Sequence, residues 1–480
     1  MANGQINVRK IISDSGFSSI RILLSLVRTI ILIPVITNLL GVDSYGIWVA
    51  ALAIISISVS VGSLHMKGSL IRYSSRGNTE QVFADVFWLT FLSGLVVSVG
   101  VAALSITTRL FDVLQRPKIG LAASVAIFTS ILSRVALNYP RAQNRVKAYE
   151  LLKTFHLLAE TAVIVGVIYI TESIVAGITA LGLVTLLVTL LVLARYVNPF
   201  SFRPEISNFG RYLRYSIPMI PKSLSTSLLS NIDKYLVLLL LNPQAAGIYA
   251  VAFSLARLLD SFTSILNPTL YPAVTSAWDD GEQESLRKLY SAIFRWYSLV
   301  GIPAVVGLAV LSQPLLRLVS TVEVSNQGAY LVPLITFGFL FRGYDNPVAY
   351  IINAAEENQV LAKILLIATG ANVVLNILLI PQLGLLGAVI ATLVAQIFIA
   401  VAIIRFGRRQ IPFPIPADKI VRTAIASILM GAALFWIPVS ISWYYKLILY
   451  PVLGTMVFAV TALLVGAVSR DEIKRVRSKI

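Results

Sequence analysis

The sequence predicts an all-α, polytopic membrane protein. It has about 14 transmembrane helices, arranged as two parallel six-helix repeats plus a C-terminal helix pair. Three observations predict this: an unusually apolar composition, apolar runs of spanning length along the whole chain, and loops whose basic charge alternates. Of the 480 residues, 57% are hydrophobic and 13% charged, against about 25% charged in soluble domains. The mean hydropathy is +0.84. A soluble core cannot hide that much apolar surface, whereas a bilayer can.

A spanning helix needs roughly 20 mostly apolar residues. That window places helices at 17–40, 45–64, 84–106, 119–138, 150–171 and 173–194. A second group falls at 212–241, 245–272, 290–312, 328–352, 359–380 and 383–404, and a last pair at 420–441 and 445–468. The polar start and the long first apolar run, without a small-residue cleavage site, argue against a cleaved signal.

Loop charge sets the orientation. One set of loops carries Lys67, Arg72 and Arg76; Arg141, Arg145 and Lys147; Arg203, Arg211 and Arg214; Arg408, Arg409 and Lys419; and a tail with Arg470, Lys474, Arg475, Arg477 and Lys479. The alternate set holds only Arg109, Arg116, Lys118, Arg317 and Lys446. The positive-inside rule makes the first set cytoplasmic, in a plasma (inner) membrane with both termini inside. The net charge of +17 is then a topological signal, and no nucleic-acid partner is expected.

The chain repeats itself. Leu39 to Ala50, with Tyr45-Gly46-Ile47-Trp48, parallels Leu240 to Val251, with Ala246-Gly247-Ile248-Tyr249, at a constant offset of 201 residues. Both copies sit at the tight outer turn between the first two helices of a block. The expected organisation is an N-terminal lobe 1–205, a second lobe 206–410, and an extra pair with a basic tail at 411–480. Parallel repeats that hold substrate between two lobes are a transporter design.

Charges inside spanning helices cost about 2.5–3.5 kcal/mol each near the midplane and default to functional candidates. Arg21 and Arg28 lie seven apart with Ser25 between them, on one helix face. Arg134 follows, then Lys153, His156 and Glu160. Ser223, Ser227, Asn231 and Lys234 make a second stripe beside Asp233. Ser254, Arg257, Ser261 and Ser264 make a third, with Asp260 placed to pair with Arg257 and Asp345 with Arg342. The substrate-binding candidates are Arg21, Arg28, Arg134, Lys153, Asn231, Lys234 and Arg257. The ion-coupling candidates are Asp233, Asp260 and Asp345. A blander reading stays open for Arg21, Arg134, Lys153 and Lys222, which can snorkel from helix ends. Guanidinium forks suit phosphate and hydroxyls suit sugars, so the stripes point to an anionic, polar cargo.

Other classes lose ground. With no cysteine and two distant histidines, His65 and His156, no metal site is expected. No P-loop sequence occurs, and no cofactor is expected. A membrane glycosyltransferase or polymerase would need an outer catalytic domain. A cation or drug antiporter would need an acidic, aromatic cavity.

The stretch Leu40-Gly41-Val42-Asp43-Ser44-Tyr45-Gly46-Ile47-Trp48, with Gly68-Ser69-Leu70-Ile71-Arg72-Tyr73, resembles the start of the polysaccharide-biosynthesis flippases of the Wzx type. Asn231-Ile232-Asp233-Lys234-Tyr235, followed by Ala246-Gly247-Ile248-Tyr249-Ala250-Val251-Ala252, is similar to the same family. That family sits in the multidrug/oligosaccharidyl-lipid/polysaccharide exporter superfamily. One departure is Leu64-His65-Met66-Lys67, where smaller, glycine-rich residues are expected. The resemblance implies a flippase that moves an oligosaccharide linked to polyprenyl phosphate or pyrophosphate from the inner to the outer leaflet. It implies alternating access through a cationic cavity, driven by the membrane potential or by H+ or Na+. A cation/drug antiporter of the same fold and a membrane glycosyltransferase are the rival readings.

Overall fold

The computed structural model describes residues 8–75, 78–107, 117–197, 203–436 and 442–468. Arg76, Arg109, Arg116 and the tail residues Arg470, Lys474, Arg475, Arg477 and Lys479 lie outside the described residues, as does the side chain of Ser264. Among the described residues every regular element is helical, as the bilayer demands of a backbone that must satisfy its own hydrogen bonds. The chain divides into two compact units, Met1–Ala250 and Val251–Ile480.

The first unit contains α1 (Val8–Leu39), α2 (Val42–Gly62), α3 (Met66–Ser74), α4 (Thr79–Thr107), α5 (Pro117–Ala136) and α6 (Tyr139–Ala142). It continues with α7 (Val146–Thr171), α8 (Ile174–Tyr196), α9 (Ile206–Ser216), a 3₁₀ turn at Ile217–Met219, α10 (Ile220–Leu240) and the start of α11 (Pro243–Ala256). Helix α5 packs on α4 and α8, α1 on α7, and α10 on α2. Phe83, Phe87, Leu132, Val135, Tyr139, Val188 and Tyr212 share one buried core at one end of the unit.

The two copies of the repeat meet inside this unit. A Cβ added to Gly46 would stand 2.0 Å from the Pro243 carbonyl oxygen, and one on Gly247 would stand 2.3 Å from that of Val42. The contact is reciprocal, because residues 42 and 46 become 243 and 247 at the repeat offset. Only glycine lets the starts of α2 and α11 approach so closely.

The second unit holds the rest of α11, then α12 (Leu258–Asp279), α13 (Gln283–Val319), α14 (Val322–Gly328) and α15 (Leu331–Ala354). It closes with α16 (Asn358–Leu383), α17 (Leu385–Gln410), α18 (Ala417–Phe435) and α19 (Trp443–Leu464). Helices α16 and α17 form a hairpin at Gly384, whose φ is +60°. Helix α13 packs on α15 and α18, and α18 on α19 around Met430, Leu434 and Tyr450. In both units large apolar side chains face outward: Ile170 is 81% exposed and Leu464 79%. Water would not tolerate that density, but lipid would.

Among the described residues, ten helices are long and apolar enough to cross a bilayer. There are eleven if α14 and α15, bent by 62° at their junction, form one span. The expected count of fourteen is not reached by this measure. The three expected spans that miss it are α10, α11 with α12, and α18. Helix α10 interrupts its apolar run with Ser227, Asn231, Asp233 and Lys234, and the next pair breaks at Arg257. Helix α18 opens with Asp418, Lys419 and Arg422. The first two are poor in hydrophobicity because they carry the polar stripes.

Candidate functional site

In the first unit the basic stripe of α1 faces α7. Arg21 Nε donates to Glu150 at 2.9 Å. Arg28 grips Glu160 with both terminal nitrogens, at 2.8 and 3.1 Å. The bidentate fork fixes geometry as well as charge. Residues 21 and 28 meet 150 and 160 in ascending order, so α1 and α7 run parallel. Sequence reasoning found Arg28 but not its partner's role. Glu160 and Glu150 neutralise the two arginines, and the Arg28 fork is occupied.

The surplus charge lies further along the same face. Lys153, one turn beyond Glu150, is within electrostatic reach of Arg21, Arg134 and Lys67. Neither Lys153 nor Arg134 forms an ion pair among the described residues. His65 stands within reach of Lys67, Lys222 and Arg134. Basic side chains from α3, α5 and α10 thus converge on one imidazole, and Arg134 and Lys67 link them to Lys153 and Arg21, with Glu150 as the acid acting on Lys153. Lys67 and Lys222 read in sequence as a loop charge and a snorkelling residue. Their convergence with Arg134 is tertiary and carries no periodic signal.

The Leu64-His65 departure gains a physical account here. Both residues adopt the left-handed backbone, at φ +44° and +54°, where glycine would be unstrained. A non-glycine residue held there costs about 1–3 kcal/mol. The strain places an imidazole against Gly68 and beside the basic cluster. Burial first, then Lys67, Lys222 and Arg134, push the His65 pKa below its usual range. Burial, then Arg134 and Arg141, lower that of Lys67. His156 is a packed polar residue bound to Thr185 at 3.2 Å.

The α10 stripe joins α2. Ser227 and Ser56 hydroxyls lie 2.9 Å apart, and Asn231 Nδ2 donates to Ser56 at 3.4 Å. Asp233 is buried and accepts from the Tyr249 hydroxyl at 2.6 Å, with Lys234 Nζ at 3.6 Å. Lys234 Nζ also donates to the Ser230 carbonyl. Asp233 and Lys234 therefore form an internally satisfied pair, and the hydroxyl and amide groups at 56, 227 and 231 are the polar surface left.

In the second unit Asp260 lies between two guanidinium groups, with Arg342 Nε at 3.4 Å and Arg257 Nε at 4.0 Å. The spacing of Arg342 and Asp345 suggested that they pair, yet Arg342 turns to Asp260. Asp345 is buried, and its Oδ1 has no hydrogen-bond partner among the described residues. Among the described residues no three metal-type ligands cluster.

Long apolar helices around intramembrane charge define the class: a multi-pass membrane protein. Residues 35–323, more than half of the chain, match the model of the polysaccharide biosynthesis protein family, and the chain belongs to that family. Over 476 residues it is 23% identical to the probable flippase AglR of Haloferax volcanii, covering 94% of this chain and 95% of that one. It is 22% identical over 190 residues, 40% of each chain, to the probable low-salt glycan biosynthesis flippase Agl15 of the same organism. Among solved structures it resembles the lipid II flippase MurJ in an inward closed conformation, with a TM-score of 0.77 and 14% identity over 94% of this chain and 98% of that one. An inward-facing multidrug resistance MATE family transporter of the MOP superfamily matches with a TM-score of 0.61 and 13% identity over 80% and 98%. The chain shares the fold of these two structures.

Proposed function

We propose that this chain flips a polyprenyl-phosphate- or pyrophosphate-linked oligosaccharide from the inner to the outer leaflet of the cell membrane, for cell-surface polysaccharide assembly. The observation that carries the reading is the unpaired basic cluster of Arg134, Lys153, Lys67 and Lys222 inside a chain of this family. Sugar hydroxyls cannot enter hydrocarbon without losing hydrogen bonds. A polar path removes that cost while the prenyl tail stays in lipid. Arg134 and Lys153 take the phosphate, with Arg21 beside them, and Asn231 with its serine neighbours takes sugar hydroxyls. Arg28 and Lys234 shape the site through Glu160 and Asp233, and Arg257 is a separate candidate in the second unit. The proposed moving halves are the repeats 1–205 and 206–410. Two negative charges moving outward across 100 mV gain about 5 kcal/mol. Ion coupling through Asp233, Asp260 or Asp345 is the other source of drive.

A similar fold serves drug antiport in the MATE family, but an excess of basic side chains opposes a cationic cargo. The deciding experiment is a deletion strain. Fully assembled lipid-linked oligosaccharide should accumulate on the cytoplasmic face. A truncated glycan would point to a transferase, and an unchanged glycan with new drug sensitivity to an antiporter.

A further inference from the structure

A second basic site borders this cluster where α3 meets α9, with Tyr215 and the His65 imidazole both against Gly68. Tyr73, Gly210, Arg211, Arg214 and Tyr215 line an open pocket of about 570 Å³. The Arg211 guanidinium stacks 4.8 Å from the Tyr73 ring centre, and Arg72 stacks 4.5 Å from that of Tyr215. The two rings meet edge to face at 6.1 Å. Stacking orients the guanidinium planes; Arg211 Nη2 donates to the Tyr212 hydroxyl at 3.4 Å, and the fork keeps further N–H donors to offer an anion. Arg72, Arg211 and Arg214 are exposed and form no ion pair among the described residues, and no acidic side chain lines the pocket.

The platform is rigid. Buried Asp85 accepts from the Glu205 backbone N–H, Asn208 Nδ2 and the Tyr212 hydroxyl at 2.8–3.2 Å, which fixes the start of α9. The Ser69 and Ser216 hydroxyls, 2.7 Å apart, tie α3 to its end. Helix α9 is strongly amphipathic, and at its two ends Ile206 and Ile217 are 77% and 51% exposed. That pattern suits a helix lying at a bilayer surface, on the side that loop charge makes cytoplasmic.

We infer that this pocket is a loading site that captures the phosphorylated sugar headgroup of the prenyl-linked cargo at the cytoplasmic membrane surface. Arg211 and Arg214 hold the phosphate, and the Tyr73 and Tyr215 rings take the apolar face of the first sugar. The inference rests on the flippase reading and extends it to a second binding step at the membrane surface.

Gly210 permits a direct test, because a Cβ added there meets nothing within 4 Å. In the full chain in nanodiscs, Gly210→p-benzoylphenylalanine should photo-crosslink a radiolabelled ten-carbon prenyl phosphate bearing one hexose. Unlabelled probe should compete, and phosphatidylglycerol should not. Adding Arg211→Ala with Arg214→Ala should cut labelling about tenfold or more, the loss expected for charge-assisted hydrogen bonds. Equal competition by phosphatidylglycerol would make the pocket a general anionic-lipid site and overturn the inference. Labelling at Ser227→p-benzoylphenylalanine without labelling at 210 would overturn it and leave the flippase reading standing. Labelling at neither position would remove both.

Discussion

At the residue scale, the intramembrane charges separate into neutralised and unneutralised groups, and the two should respond differently to mutation. Arg28 and Glu160 are a largely buried bidentate pair. Removing one partner of a fully buried pair costs about 3–5 kcal/mol, and with some solvent access here about 2 is expected. Glu160→Gln should therefore lower the thermal midpoint in detergent, and Arg28→Met with Glu160→Leu should recover most of the loss. Lys153→Ala should behave in the opposite way. It relieves repulsion from Arg134 and Lys67, so the fold should hold or gain while glycan export falls at least tenfold. Export measured alongside membrane protein level checks both outcomes. Helical spacing made the basic residues visible in sequence. It could not show which of them find a carboxylate, because Glu150 and Glu160 lie more than 120 positions from their partners.

His65 gives a pH signature at the same scale. Its folded pKa is depressed, so its contribution to stability is fully present above the ordinary value near 6.5. That contribution is lost as pH falls through the folded value, when a proton is forced in beside Lys67, Lys222 and Arg134. The stability of the empty protein should decline below pH 6.5, and His65→Gln should flatten that decline. Anionic cargo should do the reverse and bind more tightly as His65 charges. Melting curves between pH 5.5 and 7.5, with and without a prenyl phosphate, measure both effects. An identical pH profile in His65→Gln would remove His65 from the cluster.

At the element scale, the repeat was legible as a pattern but not as a contact. The offset of 201 residues marked Gly46 and Gly247 as equivalent. Only the packing shows that each excludes a side chain because the other copy's backbone lies against it. Gly46→Ala or Gly247→Ala should cost about 1–3 kcal/mol, the usual penalty for overpacking a close contact. Any gain in helix propensity is smaller. Gly100→Ala and Gly166→Ala provide the control, since both positions face open space in α4 and α7 and should be neutral or stabilising by up to about 1 kcal/mol. Equal melting temperatures across the four variants would mean that the start of α2 can move away from α11 at no cost. The same scale explains the missed spans. A hydropathy window rewards uniform apolarity, and α10 and α11 with α12 give that up to carry Ser227, Asn231 and Arg257.

At the scale of the whole molecule, the expected orientation in the membrane rests on loop charge, and the ion pairs test the helix count behind it. Loop charge places Arg203 inside and Lys118 outside, against the local basic character of Arg109, Arg116 and Lys118. The ion pairs add a constraint that loop charge lacks. Arg21 and Arg28 meet Glu150 and Glu160 in ascending order, so α1 and α7 point the same way. An odd number of membrane crossings must lie between them, and α2, α4 and α5 supply three when all of them span. If α4 failed to cross, α1 and α7 would run antiparallel and the two pairs could not form together. Reporter fusions should therefore give an external signal after Lys118 and an internal one after Arg203 and Ile480. An internal signal at Lys118 would contradict both the charge rule and the parallel pairing. An external signal at Ile480 with the first two as expected would confine the error to the second half of the chain, where α10, α11 with α12, and α18 are the spans whose hydropathy is weakest.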